Sequence, residues 1–146
     1  MKKSDCIFCK IASGEIPSTT LYEDKDFRVI FDISPASKGH VLILPKEHSD
    51  NVFDLPEETA SKIYVLAKKV AAAVKEALGC DGVNILQNNG EAAGQSVFHL
   101  HMHIIPRYQG DTDTVHVGWK LGETPQVDVL EQMKKEILEK MREGEL

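Results

Sequence analysis

At 146 residues the chain has the length of one domain, and with 42% hydrophobic residues it can bury a core, which excludes a disordered chain. A net charge of −6 without a basic run argues against nucleic acid as a partner, although helix N-termini and imidazoles can still hold a single phosphate. No stretch approaches roughly 18 consecutive apolar residues, and no apolar core follows Met1-Lys2-Lys3-Ser4-Asp5-Cys6, so neither a membrane span nor a secretory signal is expected and the cytoplasm is inferred.

The first feature along the chain is Cys6-Ile7-Phe8-Cys9. Three cysteines in all fit metal or redox chemistry in a reducing compartment better than a disulfide framework. The pair reads as buried thiols, as a redox motif, or as half of a structural zinc site. A zinc site needs two further Cys or His ligands, and His48 and His99 are among the candidates. Lys10 to Gly14 is expected to make a short helical turn, ended by Gly14 and Pro17. Thr19 to Glu23 and Phe27 to Ile33 read as strands joined by the polar turn Glu23-Asp24-Lys25-Asp26. Asp32 lies near the end of the second strand, where an acid usually serves a turn.

After Ser37-Lys38-Gly39, the run His40-Val41-Leu42-Ile43-Leu44-Pro45 is almost wholly apolar and predicts a central strand closed by proline. Leu55-Pro56-Glu57-Glu58 starts a long helix, with proline and acids in the first turn. Ala60, Ile63, Tyr64, Ala67, Val70, Ala71, Val74 and Leu78 keep helical spacing up to the stop at Gly79. Gly82 to Gln87 is a further strand. It enters the polar loop Asn88-Asn89-Gly90-Glu91-Ala92-Ala93-Gly94, which alone reads as an ordinary turn. Residues 107–124, with the lone Trp119, show no periodicity. Val127, Leu130, Met133, Ile137 and Met141 then form a mostly apolar stripe on a final helix.

The most telling stretch is Gly94-Gln95-Ser96-Val97-Phe98-His99-Leu100-His101-Met102-His103-Ile104-Ile105-Pro106. In an extended strand, alternate residues share a face. His99, His101 and His103 then line one face, with Leu100, Met102 and Ile104 on the other. Imidazole is a nucleophile, a proton carrier and a metal ligand near neutral pH. The triplet therefore suits covalent catalysis, and it also suits a metal site in which all three histidines are ligands.

This His-φ-His-φ-His-φ-φ pattern, with φ apolar, resembles the signature of the histidine-triad superfamily. GQSVFHLHMHIIPR is most similar to its Hint branch, particularly bacterial members that carry Cys-x-x-Cys. The similarity runs from about Cys6 to about Arg107. It implies an α+β fold with an antiparallel sheet of about five strands, a long helix and a C-terminal helix. The whole chain, 1–146, is expected to be a single domain, with its core at about 6–107 and a C-terminal loop and helix at 108–146.

What the resemblance implies for function is specific. His101 would attack a nucleotide α-phosphate and form a nucleotidyl-histidine, which water hydrolyses to the nucleoside monophosphate. His103 would donate to the phosphate oxygens, Ser96 would assist the leaving group, and His99 would orient the strand. Asn88, Gln95 and Ser96 would contact the phosphate, Asp32 the ribose hydroxyls, and Phe8, Ile11, Ile30 and Ile33 the purine. His40 is placed near the active site. Cys6, Cys9, His48 and His99 would bind a structural zinc, with no catalytic metal required. A homodimer is implied, its sheets joined through the long helix and the strand near Gly82. The expected activity is a purine nucleoside phosphoramidase or nucleotidyl hydrolase. A dinucleoside polyphosphate hydrolase, a metal-dependent hydrolase and a nucleotide-binding adaptor with little catalysis remain open.

Overall fold

The computed structural model describes residues 3–111 and 120–144 and divides the chain into two compact units, Met1–Thr114 and Val115–Leu146. Each is described by itself. The first begins with helix α1 (Ile7–Ala12), then strands β1 (Thr20–Glu23), β2 (Phe27–Phe31) and β3 (Val41–Pro45). Helix α2 (Glu57–Leu78) leads to β4 (Gly82–Leu86), a 3-10 turn at Glu91–Ala93 and β5 (Met102–Arg107). The sheet is antiparallel throughout, in the order β1-β2-β3-β5-β4. Strands β1 and β2 meet at the polar turn, where Asp24 Oδ1 accepts the amides of Asp26 and Phe27 at 2.8 and 2.7 Å, an Asx-turn geometry.

All five residues of β3 are buried, as expected for an inner strand whose run is apolar on both faces. Residues directly opposite one another in a ladder share a face. Leu42 lies opposite both Ile30 and His103, while Ile43 lies opposite Val29 and Met102. The second set packs with Val41, Leu100 and Ile104 against Ile63, Ala67, Val70 and Val74 of α2. That helix thus buries one stripe of the sequence periodicity. Gly79 ends it at φ 63°, with its N–H on Lys75 O. On the opposite face, Ile30, Leu42 and Leu44 pack with Ala12, Phe8 and Ile11 of α1. The histidine face is therefore the face that α1 covers.

Two local expectations are corrected. The first helix starts at Ile7 and not near Lys10, because the Cys6 sulfur accepts the Cys9 N–H at 3.3 Å and caps it. The strand ladder of the triad begins only at Met102. Upstream, the Leu100 N–H turns to Ser49 O at 2.7 Å, so His99, at the end of a bend, and His101 stand outside the ladder. The alternation survives, since Leu100, Met102 and Ile104 all enter the α2-side core. In the second unit, α3 (Val127–Glu143) carries the expected apolar stripe. Trp119 lies outside the described residues.

Candidate active site

Helix α1 supplies two thiols, the loop after β3 supplies His48, and the approach to β5 supplies His99. Cys6 Sγ, Cys9 Sγ, His48 Nδ1 and His99 Nδ1 all lie within 4.8 Å of one another. Cys9 Sγ is 3.3 Å from His48 Nδ1 and 3.4 Å from His99 Nδ1, and Cys6 Sγ is 3.5 Å from His99 Nδ1. A tetrahedral zinc with bonds of about 2.3 Å to sulfur and 2.0 Å to nitrogen holds the two atom types about 3.5 Å apart.

The outer atoms agree. His99 Nε2 donates to Pro45 O at 2.8 Å, and His48 Nε2 donates to the Asp50 carboxylate at 2.6 Å. Neither oxygen can donate, so each neutral ring keeps its proton outside and turns the Nδ1 lone pair inward. Burial pushes His99 down to about 4, so it is neutral at pH 7. Burial also pushes the Cys9 thiol up, and a thiolate there calls for a cation beside it. The four residues form a cluster able to hold a metal ion.

Beyond this cluster the triad presents two different nitrogens. His101 Nδ1 lies 2.7 Å from His99 O. A carbonyl oxygen only accepts, so Nδ1 bears the proton and the neutral ring has its lone pair on Nε2. His103 is fixed the other way. The Ala36 N–H donates to His40 Nδ1 at 3.0 Å, which leaves the proton of neutral His40 on Nε2. That nitrogen is 2.9 Å from His103 Nδ1 and donates to it, so His103 carries its own proton on Nε2. Burial lowers both, His103 to about 4, and keeps both rings neutral at pH 7. The His101 and His103 rings are 5.0 Å apart. A nitrogen lone pair and an N–H donor thus stand side by side, as an attacker and an anion donor would have to.

The remaining predicted residues fall into two groups. Phe8 meets His101 edge-on at 5.0 Å, Ile11 and Ile30 pack beside it, and Asp32 Oδ2 stands 3.6 Å from His40 Nε2. Ser96 is exposed on the loop ahead of the triad, and Asn88 Nδ2 reaches Gly94 O at 3.5 Å. Ile33, by contrast, lies beyond β2 and is 98% exposed. Gln95 needs a correction. Its side chain is buried and fully engaged: Nε2 donates to Asp50 O and Val97 O, while Oε1 accepts from Gly90 N–H and Asn51 Nδ2. It joins loops, and its amide has no hydrogen-bonding capacity left for a phosphate. Sequence reading missed Ala36, Asp50 and the Pro45 carbonyl, because nothing in their local sequence marks them as partners of a distant ring. A groove of about 580 Å³ between the β1–β2 edge and α2 contains neither imidazole nor thiol, and lies on the opposite face of the sheet.

An antiparallel five-stranded sheet, backed by one long helix and entered by alternating histidines, is a histidine-triad type of domain. The HIT domain profile matches residues 13–110. The chain belongs to the HIT family. It is 42% identical over 136 residues to the adenosine 5'-monophosphoramidase HNT1 of Saccharomyces cerevisiae, covering 93% of this chain and 82% of that protein. A HIT family protein from Bacillus subtilis superimposes with a TM-score of 0.86 at 42% identity, over 93% of this chain and 96% of that one. A Zn-bound histidine triad family protein from Mycobacterium smegmatis gives 0.71 at 35% identity, over 97% and 98%.

Proposed function

We propose that the protein hydrolyses purine nucleoside phosphoramidates, or related nucleotidyl substrates, to the nucleoside monophosphate through a covalent intermediate on His101. The observation that carries this reading is the opposed tautomers of His101 and His103. His99 O fixes the His101 proton on Nδ1, so Nε2 is free to attack the α-phosphorus. As the P–N bond breaks, negative charge on the phosphoryl oxygens is met by the His103 Nε2–H, held in place through His40 and Ala36. The leaving amine takes a proton, a transfer we assign to the Ser96 hydroxyl. Water then attacks phosphorus, frees Nε2 and returns the proton. The monophosphoramidase activity in the name of the yeast relative supports the same substrate class.

The binding roles follow the same reading. Asp32 takes the ribose hydroxyls, Asn88 and Ser96 the phosphate, and Phe8, Ile11 and Ile30 the base, with Ile33 at its open edge. Cys6, Cys9, His48 and His99 hold a structural zinc. When bound, it supplies a rigid cross-link between α1, the His48 loop and the triad, and takes no part in the bond changes. The Zn-bound mycobacterial structure supports this assignment. The free thiols of Cys6, Cys9 and Cys80 suit the reducing cytoplasm. Strand β4, at the sheet edge, is the surface through which we place a homodimer.

The test is mass spectrometry of protein quenched during turnover of an adenosine phosphoramidate, beside His101→Ala. An AMP-sized adduct on the wild type alone is expected. Full turnover by His101→Ala would overturn the assignment, and tight AMP binding without turnover would mark a binding protein.

A further inference from the structure

One residue touches both the metal cluster and the substrate loop, with opposite ends. The Asp50 carboxylate accepts the His48 Nε2–H at 2.6 Å, and the Asp50 backbone carbonyl accepts the Gln95 Nε2–H at 2.6 Å. We propose that Asp50 is a positioning residue that couples metal occupancy at Cys6, Cys9, His48 and His99 to the shape of the loop at Gly90–Ser96. This rests on the metal centre proposed above and not on the identity of the substrate.

The path is short, and both its ends, His48 and Gln95, are buried. Gln95 is 3% exposed, and its Oε1 accepts the Gly90 N–H at 2.8 Å, while its own N–H donates to Gly90 O at 3.0 Å. The loop is thus folded back on itself around this one side chain, and Ser96 is the next residue. Asp50 is pinned as well: its N–H donates to Asp54 Oδ2 at 2.9 Å and Lys3 Nζ lies 3.1 Å from its carboxylate. A cation on His48 Nδ1 polarises the ring and strengthens the Nε2–H bond to the carboxylate. The force reaches Gln95 through the Asp50 main chain. Two other bonds hold the same loops together without Asp50, Leu100 N–H to Ser49 O at 2.7 Å and Val52 N–H to Asn89 Oδ1 at 2.8 Å. Replacing the half-exposed Asp50 side chain therefore leaves the fold intact while it breaks the link to His48.

The experiment is amide hydrogen exchange at Gly90 and Gln95 in the full chain, stripped of metal and then given Zn2+ alone. In the wild type, Zn2+ is expected to slow exchange at Gly90 by roughly tenfold. Asp50→Ala should lose about 10- to 100-fold in zinc affinity by chelator competition. At zinc concentrations that saturate it, its Gly90 amide should not slow. Asp50→Asn keeps an oxygen that accepts the His48 N–H and should recover part of both effects. Equal slowing in saturated Asp50→Ala, or no slowing in zinc-loaded wild type, overturns the coupling. Failure of the wild type to bind Zn2+ overturns the metal centre with it and leaves the His101 adduct test untouched. A missing adduct would equally leave the exchange result standing.

Discussion

Two clusters in this molecule look alike as sets of side chains and differ in sign. Cys6, Cys9, His48 and His99 bring their ligand atoms within 4.8 Å of one another, and so do Asp32, His40 and His103. Behind the first pair of imidazoles stand acceptors, Pro45 O and the Asp50 carboxylate. Their protons are drawn outward and their lone pairs converge, which suits a cation. Behind His40 stands a donor, the Ala36 N–H. It sends the proton inward along the chain to His103, and an N–H emerges at the far end, which suits an anion. A metal on His40 Nε2 would drive that proton to Nδ1, straight against the Ala36 amide. The character of a histidine site is set one hydrogen bond outside it.

The largest test of this contrast is metal content. Cys9→Ala should abolish stoichiometric zinc after gel filtration, because structural zinc in such sites is worth about 10–16 kcal/mol. Asp32→Asn should leave the zinc content unchanged. Loss of zinc from Asp32→Asn, measured by plasma emission, would mean that the second cluster is also a cation site.

Next in size is the backbone that delivers His40. Gly39 has φ +89°, and a β-carbon there would collide with Leu78 of α2 and lie 3.4 Å from Pro106 Cγ. Gly39→Ala combines left-handed strain with overpacking and should cost about 2–4 kcal/mol by urea unfolding. At Gly82 nothing lies within 4 Å and no positive φ is needed. Gly82→Ala should change stability by about 0.5 kcal/mol or less. Equal effects at the two glycines would mean that the close approach of Gly39 to Leu78 of α2 carries no special cost.

In the proposed reaction His40 acts through His103, which it touches at 2.9 Å. His40→Ala should lower kcat for an adenosine phosphoramidate by about 10- to 100-fold, near the lower end of what losing an oxyanion donor does, with the affinity for AMP little changed. His40→Gln can still offer an N–H to His103 Nδ1 and should recover part of the rate. A uniform rise in KM with kcat intact would show that His40 merely shapes the pocket.

How far these sites could be read in advance depended on the range of the interaction. The Leu100, Met102 and Ile104 alternation and the Ile63, Ala67, Val70, Val74 stripe are local periods, and both were legible. With six histidines in the chain, it was the family resemblance that singled out His48 and His99, while the Cys6/Cys9 pair was legible as residue types. The Cys6 cap on α1 was not, because a thiol is a rare helix cap. His40 and His103 lie 63 positions apart, and their bond exists only because β3 and β5 are neighbours. Gln95 misled for a related reason. The family resemblance assigns it to the phosphate, yet its burial under the Asp50 loop is a tertiary fact.

The smallest effect concerns the sign of the His103 charge. Burial, followed by the neighbouring His101 and His40, moves His103 down to about 4, with Asp32 opposing the shift. Its unfolded value is near 6.5. A depressed histidine binds its proton in the unfolded chain first. Its contribution to stability is therefore complete above about pH 6.5 and is lost as the pH falls toward 4. Because water reaches part of the ring, about 1–2 kcal/mol is expected, well below what the full shift would imply. The measurement is urea unfolding of wild type and His103→Asn from pH 7.5 to 4. The two should run in parallel above 6.5, and only the wild type should lose the extra stability below it. Rising wild-type stability on acidification would mean that His103 is held protonated. The inward-facing N–H would then be that of an imidazolium, and the contrast between the two clusters would rest on charge and not on tautomer.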